Sequence, residues 1–411
     1  MGDREAIPRR HGIDVQGQRE SVWRLRLLVG REAEPTSLEW EAIGLSLQRG
    51  DEPMDRLVEW MVEEGLRHTR PLFDLAVAQG IDRVPSAPPL LREFFAAVEA
   101  RPEWVADPRM REGARVCGIS GLTGLDVLRD AGLLAGYQAS AINRTLMLVG
   151  SLQKGAQRRV AETAKWWVDC TRPGGMARGA PGYRSTLNVR MMHALVRRRV
   201  AAIPEWDAAF YGLPINQGDM HATWLAFTVI FLLGQRLLGV PLRRDEAAAV
   251  MHLWRYIGWL MGVEERWLHE SEARGRIALY QNLLAQAPPD ESSRALGLAL
   301  KDEPLDRAYA NLSFLRGRLN RAKHLSIARL FVNARGMKAL GLPRYVLPWY
   351  PVLTAPFRRA WHELLRLRPA GRELLIRRGL AAQENYLETL FGRHEPAIRA
   401  LDVHEREAWL R

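Results

Sequence analysis

The chain has 411 residues, and 47% of them are hydrophobic, so it can bury one large core or two to three smaller ones. Its formal charge of +12 suggests nucleic acid as a partner, but only five of the 59 basic residues are lysine. The arginines are spread along the whole chain, so we expect no nucleic-acid partner, and the charge equally suits anionic lipid or an acidic cofactor group. The two cysteines fit no metal-binding spacing, which disfavours a structural metal cluster or a disulfide scaffold.

The N-terminus is polar and carries no apolar run typical of a secretory signal. Arg9 and Arg10 are followed by His11 and Gly12 rather than by hydrophobic residues, so a twin-arginine signal is not indicated either. We therefore expect a flexible arm over residues 1–36 and a cytoplasmic protein, with membrane association left open.

Helical periodicity dominates the rest of the chain, and alternating strand patterns are almost absent, which predicts an all-α fold. The segment 341–356 is the exception, because its four prolines predict that it is not a regular helix. It is expected to wrap the domain or to lie at a membrane interface. The predicted helices cover residues 37–48, 55–65, 71–78, 88–100, 153–170, 188–200, 219–236, 245–261, 320–333 and 357–367.

Two internal segments have unusual composition. Residues 118–150 are rich in Gly, Ala and Ser, which suits either tight helix packing or a wall against a flat ligand. Within 219–236, sixteen uncharged residues form a run shorter than the roughly 20 that a bilayer span needs, so a buried central helix is expected. His221 and His252 are expected to be core histidines rather than ligands.

His193 lies on a helix between a basic stripe and an apolar stripe. Arg190 and Arg197 fall on one side of it, and valines fall on the other. Haem suits such a boundary between basic and apolar residues, because its iron takes a neutral histidine, its ring prefers apolar walls and its propionates pair with arginine. Nearby arginine charge lowers a histidine pKa in the required direction. The alternative is an ordinary boundary histidine.

The preceding helix adds a second candidate face. Arg159, Thr163, Trp166 and Cys170 share it, and Glu162 borders Thr163. A hydroxyl and a carboxylate above an apolar wall suit polarising dioxygen or moving a proton. The alternative is a tryptophan-rich core helix whose threonine bonds to its own backbone.

The run 158–200 resembles the catalytic core of the rubber oxygenase (latex-clearing protein) and MpaB-type oxygenase family. The resemblance rests on Arg159, Thr163, His193 and Arg197, at spacings of four, thirty and four residues. It extends over about residues 105–275, including a second block at 213–263.

The resemblance implies a globin-like helical core with additional N- and C-terminal helices. It also implies non-covalent haem b, with iron on His193, Arg159 and Thr163 on the distal side, and Arg190 and Arg197 supporting the haem and its helix. Residues 105–275 would form the haem-binding core, residues 37–104 helices packed on it, and residues 276–411 a C-terminal extension of the same domain.

Relatives cleave carbon–carbon double bonds of polyisoprene or of a prenyl side chain with dioxygen. Here Glu162 replaces the lysine that rubber oxygenases carry before the distal threonine, so distal polarity should differ, and Glu162 becomes a candidate proton acceptor. Without an export signal, a small apolar or prenylated alkene is the expected substrate. Two alternatives stay open: a haem-binding or sensing protein without turnover, and a basic helical protein that contacts membrane surfaces or other partners.

Overall fold

The structure is a computed structural model that describes residues 6–30, 33–150 and 155–392. These ranges contain twenty α-helices and no strand, which confirms the all-α prediction. The first ten helices are α1 Val15–Ser21, α2 Trp23–Val29, α3 Ser37–Ser46, α4 Glu52–Glu63, α5 Leu66–Gln79, α6 Pro89–Glu99, α7 Asp107–Val127, α8 Ser140–Leu148, α9 Ala156–Thr171 and α10 Pro181–Ala201. The others are α11 Ala208–Tyr211, α12 Gln217–Leu225, α13 Phe231–Leu237, α14 Arg244–Leu260, α15 Glu272–Ala285, α16 Glu291–Asp302, α17 Ser313–Phe331, α18 Ala334–Ala339, α19 Trp349–Arg366 and α20 Pro369–Phe391.

Each predicted helix coincides with an observed one, although the ends shift by several residues. The helix that carries His193 begins at Pro181, seven residues before its predicted start, because Pro181 at the first position is already compatible with a helix. Residues 153 and 154, where the preceding helix was predicted to begin, lie outside the described residues.

The apolar segment 219–236 is a buried central helix, as expected, but it is not uniform. A π-helical stretch at 226–230 separates α12 from α13. No helix in the described ranges combines the length and the apolar character needed to cross a bilayer.

Helix α7 lies at the centre of the molecule, where it packs against both α14 and α20. Fourteen of its 21 residues are buried. Its glycines allow this close packing: a Cβ atom on Gly113 would lie 2.5 Å from the carbonyl oxygen of Ala249 in α14. On the other side, a Cβ atom on Gly379 of α20 would collide with the carbonyl oxygen of Gly118. Tight helix packing therefore explains the first part of the glycine-rich segment.

Replacing Gly379 with alanine is expected to lower the free energy of unfolding by about 3 kcal/mol, since a methyl group there must push two backbones apart. Urea unfolding would measure the loss. Gly136→Ala is the matched control, because no atom lies within 4 Å of the position that its methyl group would take, and its backbone is helical. That control should be neutral or stabilising by up to about 1 kcal/mol. Equal losses in both variants would contradict the packing argument.

The prediction that 341–356 is not a regular helix is wrong for its second half. Helix α19 begins at Trp349 and continues through both Pro351 and Pro356. Pro351 lies in the first turn, where a backbone N–H has no partner within the helix, so its ring removes no bond. Pro356 removes one hydrogen bond, and the packing of α19 on α17 and α20 compensates for that loss.

The arm predicted over residues 1–36 is ordered where the structure describes it. It carries α1 and α2, and Arg10 is 2% exposed. The Arg10 guanidinium donates to Asp219 of α12 over 2.8 Å, a contact between residues 209 positions apart. The flexible arm was predicted because the N-terminus is polar and has no apolar run. That pattern does not reveal an ion pair with a residue far along the chain.

Candidate functional site

Helices α9 and α10 run antiparallel and carry all of the predicted site residues. The end of α9 meets the start of α10, since Trp166 Nε1 donates to Thr186 Oγ over 3.1 Å and the Cys170 sulfur lies 3.7 Å from the Gly182 carbonyl oxygen. Arg159 lies seven residues before Trp166, and His193 lies seven residues after Thr186. Seven residues are close to two turns, so both lie about 10 Å along their helices from this contact, on the facing sides.

His193 is half-buried and carries a neutral imidazole. Burial lowers its pKa to about 4, the Arg197 charge adds to that effect, and Asp51 opposes it. Its Nδ1 atom is buried and has no hydrogen-bond partner. A neutral ring with a free nitrogen is the form that a metal ligand requires.

The side of α9 facing His193 offers one cation and one hydroxyl. Arg159 places its guanidinium 5.5 Å from the centroid of the Tyr137 ring, and its Nη1 is buried without a partner. Thr163, one turn further along, is half-buried. These groups could orient or polarise a small ligand held between the two helices.

Glu162 points away from this side. Its side chain is 43% exposed and accepts a hydrogen bond of 2.8 Å from Arg158 Nε, one turn earlier on α9. A position next to Thr163 is rotated by about 100° around the helix, which directs the carboxylate outward. The geometry therefore gives no support to Glu162 as the proton acceptor that the resemblance suggested.

Arg190 and Arg197 fasten α10 to its neighbours. Arg190 makes a two-pronged ion pair with buried Asp51, with distances of 2.6 and 2.7 Å, and Arg197 pairs with Asp55. Arg197 also donates to the carbonyl oxygen of Ile215. Because these contacts occupy both guanidinium groups, the arginines position the helix of His193 rather than offer free donors to propionates.

Aromatic rings form an apolar wall beside Thr163. Trp166 of α9 meets Phe227 edge to face at 5.1 Å and Trp254 at 5.6 Å. Phe227 and Trp254 stack in parallel at 4.8 Å between ring centroids. Phe227 belongs to the π-helical stretch at 226–230, and such stretches often re-aim side chains at functional sites. The wall could accommodate a flat or apolar ligand.

These residues fit a haem group. Two of the buried polar atoms without partners, His193 Nδ1 and Arg159 Nη1, belong to the residues for which a haem ligand and a distal cation were predicted. In the described ranges, no group of three His, Cys, Asp or Glu residues could hold a metal ion by itself. A cofactor that brings its own equatorial ligands matches a site with a single histidine.

The sequence pattern missed the acidic partners of the site. Asp51 and Asp55 lie about 140 residues before Arg190 and Arg197, and nothing local marks them as partners. The prediction for His252 agrees with the structure, where its Nε2 accepts a hydrogen bond from the Ala106 backbone. His221 is 3% exposed and packs against the rings of Trp224 and His269.

Comparison with known proteins now identifies the family. Residues 126–367 match the model described as "ER-bound oxygenase mpaB/B'/Rubber oxygenase, catalytic domain". The rubber oxygenase of Streptomyces sp. (strain K30) is 26% identical over 182 residues, which is 43% of this chain and 44% of that protein. The solved structure of latex clearing protein LCP in the closed state superposes with a TM-score of 0.65. That superposition covers 87% of this chain and 94% of the other at 20% identity, which establishes a shared fold. The chain therefore belongs to the mpaB/B' and rubber oxygenase catalytic-domain family, a family of oxidoreductases.

Proposed function

We propose that the protein is a haem b-dependent oxygenase that uses dioxygen to cleave a carbon–carbon double bond of a small apolar or prenylated alkene. One observation carries the proposal: His193 and Arg159, on the neighbouring helices α10 and α9, each have a buried polar atom with no hydrogen-bond partner, and the His193 imidazole is neutral. Family membership supports the oxygenase chemistry. Haem and the alkene are parts of the proposal.

His193 would hold the haem iron through one of its ring nitrogens. When bound, haem supplies the iron at which dioxygen is activated. Burial and the Arg197 charge keep the imidazole unprotonated near neutral pH, so no proton competes for the ligating nitrogen. Arg190 and Arg197 keep α10, and with it the ring, in place through their ion pairs with α4 and the residue before it.

Arg159 and Thr163 would orient dioxygen within the site. Arg159 offers a donor that no protein atom occupies, and its position over Tyr137 keeps the guanidinium inside the protein. Thr163 adds a hydroxyl one turn away. Glu162 has no part in this proposal, since it stays paired with Arg158.

The aromatic wall supports an apolar substrate. Trp166, Phe227 and Trp254 present ring surface next to Thr163, which favours an alkene over a charged molecule. Cleavage of one double bond by one dioxygen molecule gives two carbonyl groups. The two oxygen atoms become the two carbonyl oxygens, so the overall reaction balances without a further reductant.

Visible absorption and oxygen uptake test the proposal together. Purified protein, produced with haem supplied, should show a Soret band with about one haem per chain. It should consume oxygen with prenylated test compounds and release aldehyde and ketone products. A Soret band without oxygen uptake would favour the haem-binding or sensing alternative, and a colourless protein would overturn the proposal.

Replacing Thr163 with valine is expected to slow oxygen uptake by about tenfold or more, because valine keeps the shape of threonine and removes its hydroxyl. The Soret band should persist, since His193 is untouched. Thr223→Val is the matched control: its hydroxyl donates to the Asp219 carbonyl in its own helix, and the residue is exposed. Equal rates in the two variants would remove Thr163 from the proposed chemistry.

The cytoplasmic location stays a prediction. The free thiols of Cys117 and Cys170, both buried, suit a reducing compartment. Contact with a membrane surface belongs to the same prediction, because apolar substrates of this class partition into lipid.

A further inference from the structure

An apolar stripe runs along the outer side of α19. Its largest members are Leu353, Phe357, Trp361 and Leu364, which are 60%, 78%, 47% and 60% exposed. They follow one another at intervals of four, four and three residues, so they form one continuous face of the helix. Val352 and Leu367, 64% and 78% exposed, extend that face. Contiguous apolar surface of this kind on a globular domain marks an interaction site.

The opposite side of α19 is fixed to the protein. His362 is 7% exposed, and Arg358 donates to the carbonyl oxygen of Leu238. Arg366 donates to Glu246 of α14 over 2.9 Å, with both side chains almost fully buried. Because these contacts prevent the helix from rotating about its axis, the apolar stripe remains exposed to solvent.

A basic cavity of about 370 Å³ lies beside the stripe, between α19 and the turn that joins α13 to α14. Arg366 lines it with a side chain that is 5% exposed, and its Nε and Nη2 atoms have no hydrogen-bond partner. Arg359 and Arg243 also line the cavity, and both are exposed. Buried, unsatisfied guanidinium nitrogens beside further arginines are a site for a phosphate-type anion.

The charge around the stripe is mostly positive. Residues 343–368 hold five arginines (344, 358, 359, 366 and 368) against the single acidic residue Glu363, which also lines the cavity. A second copy of this chain would bring the same cations into contact with each other, which disfavours self-association through this face. An anionic lipid surface complements both features, since apolar side chains enter the interface and arginines pair with phosphates.

We propose that α19 docks on an anionic phospholipid membrane, with its apolar stripe in the interface and a lipid phosphate in the arginine-lined cavity beside it. The docking does not depend on haem or on turnover, so it can succeed or fail independently of the oxygenase proposal. It would hold the enzyme where apolar alkenes are concentrated.

Vesicle flotation with the full chain tests this surface. The wild type should bind vesicles of phosphatidylcholine with phosphatidylglycerol much more tightly than vesicles of phosphatidylcholine alone. Phe357→Asp should weaken that binding by about tenfold or more, because it places a charge in the stripe. Leu38→Asp is the control, since Leu38 is 79% exposed on α3, away from α19. Equal binding to both vesicle types, or equal loss in both variants, would overturn the proposal.

Arginine variants test the cavity. Arg359→Gln should weaken binding about fivefold, while Arg92→Gln, an exposed arginine on α6, removes the same charge elsewhere and should have little effect. Equal losses of vesicle binding in Arg92→Gln and Arg359→Gln would mean that only net charge matters, and would overturn the role of the cavity.

Two further measurements separate other occupants of the same surface. Inorganic phosphate that binds the protein tightly, in the absence of any vesicle binding, would identify a free-anion site instead of a membrane site. A dimer in solution that Phe357→Asp converts to a monomer would identify a second copy of the chain as the occupant. Either result would replace the membrane proposal. Thermal unfolding followed by circular dichroism should be unchanged in the exposed variants.

Discussion

Haem binding is expected to disappear when His193 is replaced with alanine. Loss of a residue that hydrogen-bonds to a metal ligand already costs about 10–100-fold in metal affinity. Removal of the ligand itself should therefore cost more than about 100-fold in haem affinity. The Soret band of the purified variant should be nearly absent. The side chain makes no hydrogen bond through Nδ1, so the variant should remain folded.

A matched control separates this effect from a general loss of histidine. His68→Ala removes an exposed imidazole on α5 and should leave the Soret band unchanged. Added imidazole should restore part of the band to the His193 variant, since it can enter the space that the side chain leaves. An unchanged Soret band in His193→Ala would place the iron on another residue and overturn the proposed site.

Asp51→Asn is expected to destabilise the protein by about 3–5 kcal/mol, because it leaves the Arg190 guanidinium buried without its counter-charge. Arg190 and Asp51 have side chains that are 8% and 3% exposed, so water cannot replace the lost partner. Urea unfolding would measure the change. Since Arg190 positions the helix of His193, haem affinity should fall in the same variant.

The two neighbouring helices offer a close control for this prediction. Arg198 of α10 pairs with Glu59 of α4, but both side chains are about half exposed. Glu59→Gln should therefore change the free energy of unfolding by less than about 1 kcal/mol. If both variants lost the same stability, burial would not determine the strength of the Arg190 pair.

Helical periodicity predicted the fold class and the approximate positions of ten helical segments, because apolar spacing is a local property of the chain. It did not predict several others, among them the long helices α7 and α20. It failed where local signals conflict with packing. Four prolines suggested an irregular segment at 341–356, yet α19 forms around two of them. The family match also extends to residue 367, well beyond the limit of 275 that motif resemblance suggested.

The candidate site was predictable only in part. Regular helix geometry placed Arg159 and Thr163 on one face of α9, and the hydrogen bond between Trp166 and Thr186 holds α9 against α10. The roles of Arg190 and Arg197 depend on Asp51 and Asp55, which no local pattern connects to them. The outward direction of Glu162 follows from its contact with Arg158.

The contact between Gly118 and Gly379 bears on how the protein can be shortened. The family-matched segment begins at residue 126 and ends at residue 367, so almost all of α7 and the whole of α20 lie outside it. A recombinant fragment trimmed to that segment would lose both members of this close helix pair and uncover the apolar surfaces that they shield. Expression boundaries chosen from family similarity alone would therefore yield an aggregating product, whereas boundaries that include residues 6–391 keep α7 and α20 together and also retain Asp51 and Asp55, the partners of Arg190 and Arg197.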